Sequence, residues 1–210
     1  LEEDGSRWHP AEDKRFGGQM VWCCSNPDGI AEIAKNIINW ANDNPLVKSI
    51  GFTPNDFRAP QCCCEECSKH NKMENYISFG NKLIPQVRKV HPDLVVGLCS
   101  YTDLWHCPDN MTMEDGLSMC QTVWASAANG GLRKFGDPNG RGIIGTKIAD
   151  NMMKFLKITD KVTVYEYYMG NYGNRHRLLP AADEIQPIAK FYMEHGIGGS
   201  STQIECFNIW

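Results

Sequence analysis

Between residues 25 and 45 the chain reads SNPDGIAEIAKNIINWANDNP, with apolar side chains at Ile30, Ile33, Ala34, Ile37, Ile38 and Ala41. That spacing is the stripe of a helix with one buried face, and Asn26 followed by Pro27 is a capped start. LVKSIGFTPND then alternates into a short β-branched and aromatic run that halts at a proline, which predicts a buried strand delivering a polar tip. The same order recurs. NYISFGNKLIPQVRKVHPD puts Tyr76, Phe79, Leu83, Ile84 and Val87 on one helical face, with a kink expected at Pro85, and the continuous apolar run LVVGLCSYTD follows as a strand. GIIGTKIADNMMKFLKITD reads as a helix with Ile144, Ile148, Met152 and Phe155 inward, ahead of the strand KVTVYEYY. ADEIQPIAKFYMEHG ends at Gly196, a helix-stop residue, before GGSSTQIE. Two further strands are expected, one in GGQMVWCCSN before the first helix and a weaker one near residues 111–121.

Strands alternating with helices of this length predict βα units on a parallel sheet. An open doubly wound sheet calls for a Gly-rich phosphate turn after its first strand, and CCSNPD is not one. The fold class expected is therefore α/β, a TIM-type (β/α) barrel incomplete in this chain, with about six βα units visible and the first one or two strands missing. Residues 1–210 would form one such barrel segment. It contains a long loop at 126–142, and a second structure-poor stretch, MGNYGNRHR, also follows a strand. The chain opens LEEDGSRWHP and closes IECFNIW, which leads to the expectation that it is a piece of something longer.

Composition narrows the function classes. At 42% hydrophobic and 22% charged, the 210 residues are of ordinary globular type. A net charge of −4 without any Lys/Arg run longer than two offers no footprint for a phosphate backbone, so no nucleic-acid partner is expected. LVVGLC, bounded by HPD and YTD, is far short of a membrane span, and none is expected.

The polar residues that close the predicted strands are Asn55 and Asp56, then Tyr101 with Asp103, then Glu166 with Tyr167 and Tyr168, then Glu205. In a barrel those ends share one rim, so residues remote in sequence converge on one pocket. Acids and aromatics around a pocket suit a sugar: carboxylates handle proton transfer and oxocarbenium charge, rings stack on the sugar face, and amide and phenol groups bind hydroxyls. Each has a plainer alternative. An Asp after a strand often only caps a turn, a Glu between tyrosines can sit on an exposed edge, and Tyr101 and Tyr168 can be core aromatics.

PNDFRAPQCCCEEC adds four cysteines within six positions. Cys62, Cys64 and Cys67, with Cys63 beside them and His70 three residues on, have spacing compatible with structural zinc, the remote fourth ligand being Cys24 or Cys107. In a secreted enzyme the same residues would form a disulfide that pins the loop carrying Asp56. Either way they read as a brace, because the strand-end acids already supply chemistry. A thiol redox protein is disfavoured, since no C-x-x-C opens a helix beside an early strand.

The segments CCSNPDGIAEIAKNIINWANDNPLVKSIGFTPNDFRAPQCCCEEC, VHPDLVVGLCSY, KVTVYEYY and HGIGGSSTQIE resemble, in order and spacing, the bacterial domain of unknown function 4838, associated with glycoside hydrolase family 163. Its most specific element here is the Asn-Asp turn followed by C-x-C-x-x-C. The resemblance implies a TIM-like catalytic domain of an endo-β-N-acetylglucosaminidase-like enzyme acting on glycans. That domain would be secreted, periplasmic or at the cell surface, and would need no cofactor for catalysis beyond an optional structural zinc. It also implies a retaining mechanism assisted by the substrate's N-acetyl group. Asp56 would be the main catalytic carboxylate with Asn55 orienting, and Glu166 the second carboxylate, kept protonated by aromatic neighbours. Tyr101, Tyr168 and Glu205 would bind the substrate, an oligosaccharide or glycan. The rival expectation is a non-catalytic carbohydrate-binding module or one stabilised by zinc or disulfides.

Overall fold

The computed structural model describes residues 22–53, 61–101, 104–123, 143–166 and 182–202. It resolves into two compact units, Leu1–Ser118 and Met119–Trp210. The described strands are β1 (Ser49–Phe52), β2 (Val95–Ser100), β3 (Leu117–Thr122), β4 (Val162–Glu166) and β5 (Ser200–Thr202), hydrogen-bonded in the order β1-β2-β3-β4-β5. Pairing is parallel between β1 and β2, between β3 and β4 and between β4 and β5.

In the first unit, α1 (Pro27–Asp43) starts where the Asn26 side chain accepts from the Asp28 and Gly29 amides, and buries Ile30, Ala34, Ile37 and Ala41 as the stripe requires. α2 (Lys72–Arg88) starts on a capping box between Asn71 and Glu74. It runs on through Pro85 to Arg88, where a kink had been expected. The missing N–H empties one rung, while Leu83, Ile84 and Val87 are fully buried and hold the last turn in place. Each such side chain contributes about 1.5–3 kcal/mol by leaving water. Gly80 lets α2 close on the sheet, because a Cβ there would lie 2.9 Å from Leu98 Cδ1 and 3.1 Å from Leu117 Cδ1.

In the second unit, α3 (Ile143–Ile158) and α4 (Ala182–Glu194) both reach the same face of the sheet. Asn151 of α3 bonds Gln121, Tyr192 of α4 bonds Glu166, and Gln121 is register partner to Val164, two residues before Glu166. A doubly wound sheet puts successive helices on opposite faces; helices stacked on one face are the layout of a barrel segment. The residues that alternate with these inward positions include half-buried Gly97 and Cys99 in β2, Ser118 and Cys120 in β3, and Thr163 and Tyr165 in β4. The architecture is thus α/β, a half-barrel type of parallel sheet backed by helices.

Two expected strands differ. Residues 22–26 of GGQMVWCCSN form a turn that leads into the α1 cap, while residues 17–21 lie outside those described. The weak strand near 111–121 is β3, which begins only after Gly116 turns the chain at φ 92°. Between β2 and β3 no helix occurs among the described residues, and the loop at 126–142 lies outside them.

Candidate functional site

Three strands repeat one pattern on their helix-facing side. β2 carries Val96, Leu98 and then Ser100; β3 carries Leu117, Met119 and then Gln121; β4 carries Val162, Val164 and then Glu166. All nine are fully buried, so each strand is apolar for two inward positions and polar at its C-terminal end. Polar groups so placed need partners. Ser100 Oγ donates to the Trp105 carbonyl at 3.3 Å, and Gln121 Oε1 accepts from Asn151 Nδ2 at 2.6 Å. Tyr192 Oη donates to Glu166 Oε1. Tyrosine also ties helix to strand in the first unit, where the Tyr76 hydroxyl donates to the Phe52 carbonyl and accepts from the Cys99 amide.

Of the residues expected to meet substrate, Glu166 is therefore the last residue of β4, on the side facing α4. Tyr101 is half-buried one residue past β2, its carbonyl accepting from the Leu104 amide at 3.0 Å. Asn55, Asp56, Tyr168 and Glu205 lie outside the described residues. Sequence reasoning missed Gln121, Asn151 and Tyr192. Their only signal was an amide ending an otherwise apolar strand and a Tyr at an inward helical position.

The cysteines gather in the first unit. Cys62, Cys64 and Cys67 come together with Cys23, and the four Sγ atoms lie within 4.8 Å of one another. Cys23, rather than Cys24 or Cys107, is thus the remote member. Cys107 lies in the loop after β2 with its thiol toward the Pro108 carbonyl, and Cys24 stands outside this group of four, its thiol pushed up to about 12, mainly by burial and then by its neighbour Cys23. Phe52, at the end of β1, packs edge-on against Trp22 at 5.2 Å and seats the turn that bears Cys23. The Cys62–Cys67 loop is held by two amides: Gln61 Nε2 and Asn75 Nδ2 both donate to the carbonyls of Cys67 and His70.

Within the cluster the thiols differ. The Ser25 hydroxyl, 3.3 Å from its sulfur, is the main reason that Cys64 falls to about 6, and the Cys67 amide at 3.4 Å acts the same way. Burial pushes Cys67 up to about 12 and also raises Cys62. No helix among the described residues is long and apolar enough to cross a membrane.

A family model described as "Domain of unknown function (DUF4838)" matches residues 2–207. No curated protein matches. Among solved structures, the lactosyl-enzyme intermediate of endo-glycoceramidase II from Rhodococcus sp. aligns with a TM-score of 0.49 at 14% identity, over 84% of this chain and 39% of that one. Its cellobiose-like imidazole complex aligns with a TM-score of 0.47 at 13% identity, over 88% and 41%. The chain spans about two fifths of those proteins, and a likeness this distant does not speak for their activity.

Proposed function

The chain belongs to the DUF4838 family, whose description carries no activity, and from its own residues we propose that it is the catalytic-type segment of a glycoside hydrolase. The substrate class is a glycan containing N-acetylglucosamine, cleaved with retention. The observation that carries this reading is the parallel pairing of β1 with β2 and of β4 with β5. It gives the members of each pair a common direction, so that their C-terminal ends point the same way. In the sequence Asn55-Asp56 comes after β1, Tyr101-Thr102-Asp103 after β2 and Glu205 after β5, while β4 ends in Glu166 ahead of Tyr167-Tyr168.

In this mechanism the acetamide oxygen of the substrate attacks its own anomeric carbon as the glycosidic C–O bond breaks, Asp56 gives its proton to the departing oxygen and later takes one from water, and Asn55 orients the acetamide. Water then opens the bicyclic intermediate. Glu166 is the second carboxylate at the strand ends. Its bond from Tyr192 favours a second role, in which Glu166 fixes the end of β4 without touching the sugar.

The test is product analysis by mass spectrometry and NMR after incubation of the full-length protein with an N-glycan. The expected product is a glycan fragment released with its β configuration retained. Asp56→Asn should slow its formation by roughly two to four orders of magnitude, the usual size of a lost acid-base group. Binding of intact glycan without cleavage would instead support a carbohydrate-binding module.

A further inference from the structure

The four clustered thiols carry an inference independent of the activity proposed above. Cys23 Sγ lies 3.6 Å from Cys64 Sγ and 3.9 Å from Cys67 Sγ. A disulfide needs about 2.05 Å, so neither pair is bonded. Four sulfurs at about 2.3 Å around a tetrahedral zinc stand roughly 3.8 Å apart, and these two separations fall on either side of that value. The donor set is all sulfur, which selects zinc or iron over calcium or magnesium. It supplies four protein ligands and leaves no open position, which marks a structural site, not a catalytic one.

The surroundings fit a bound cation. The Ser25 hydroxyl lies 3.2, 3.3 and 3.4 Å from the sulfurs of Cys23, Cys64 and Cys67, a polar group placed to orient ligand sulfurs from outside the coordination shell. The Cys67 amide points at Cys64 Sγ, a contact that orients a ligand sulfur from outside the coordination shell. Cys62 and Cys67 are buried, and four sulfurs brought this close cannot all ionise unless a positive charge sits among them.

We propose that Cys23, Cys62, Cys64 and Cys67 form a closed tetrathiolate site for Zn²⁺ that staples the turn before α1 to the loop after β1. Binding releases the thiol protons to solvent and leaves the metal with four sulfur ligands. Cys24 and Cys63, though adjacent in sequence to ligands, take no part.

The test uses the full-length protein. Metal analysis should find one zinc per chain, and a mercurial should release it as the thiols titrate. Cobalt substituted into the unmodified protein should show the sulfur-to-cobalt charge-transfer and intense visible bands of tetrahedral thiolate coordination, a readout that needs no variant to fold. Cys23→Ser should lose most of the metal, while Cys24→Ser and Cys63→Ser keep one zinc each. Four freely titrating thiols that take up neither zinc nor cobalt would overturn the proposal. So would disulfides among the four in non-reducing mass spectrometry, iron in place of zinc, or equal metal loss in Cys24→Ser and Cys23→Ser.

Discussion

The cysteine cluster and the end of β4 both bring polar groups into the interior, and they do so by opposite means. The cluster draws four like groups together, three from one short loop and one from 39 positions earlier, and as four thiolates they would need the cation proposed above. At β4 a buried carboxyl accepts a hydrogen bond from the phenol of Tyr192 on the helix that follows. One region depends on a ligand for its stability; the other depends on the fit between helix and strand.

The largest effect separating the two regions should follow metal removal. A strong chelator, or Cys67→Ser, is expected to lower unfolding free energy by about 3–5 kcal/mol, the scale of losing a structural metal, read by denaturant titration. The β4 pair should respond to neither. Tyr192→Phe takes the hydroxyl from Glu166 and is expected to cost about 1–3 kcal/mol, the penalty for depriving a buried acceptor, with the metal content unchanged. Glu166→Gln separates its two roles by steady-state kinetics. A fall in kcat like that of Asp56→Asn makes it the partner acid, a raised KM alone makes it a hydroxyl ligand, and unchanged kinetics with lowered stability makes it a positioning residue.

Smaller differences should appear within the cluster itself. In metal-free protein at pH 7.5, Cys64, lowered to about 6, is ionised, whereas Cys24 and Cys67, raised to about 12, are protonated thiols. Because the thiolate is the reacting form, iodoacetamide should label Cys64 well before either, as peptide mapping would report. Cys24→Ser should change stability by no more than about 0.5 kcal/mol beyond the loss of its own packing.

Much of this was legible in the sequence where one period dominated. The stripe from Ile30 to Ala41 and the apolar runs in β2 and β4 located their elements, because burial against helices leaves a clear pattern. β3 was weak because Ser118, Gln121 and Thr122 make its run less apolar than those of β2 and β4, and because Gly116 delays its start. The three cysteines of the loop were evident from spacing alone. Choosing Cys23 over Cys24 was not, since adjacent side chains diverge and only the turn at 22–26 decides which one faces the loop. Tyr192 was hidden for a related reason: in a helix sequence an inward Tyr reads as core, and its hydroxyl acquires meaning only when the strand opposite ends in Glu166.

The proposed division of labour, cysteines as scaffold and strand-end acids as chemistry, is tested most directly by turnover of the full-length protein carrying cadmium in place of zinc. Cadmium keeps thiolate coordination but differs as a Lewis acid. The expected result is a kcat on an N-acetylglucosaminide within about twofold of the zinc form, because a closed four-sulfur site touches no substrate. A folded cadmium protein whose kcat falls tenfold or more, roughly 1.4 kcal/mol of barrier, would put the metal in the reaction and contradict that division.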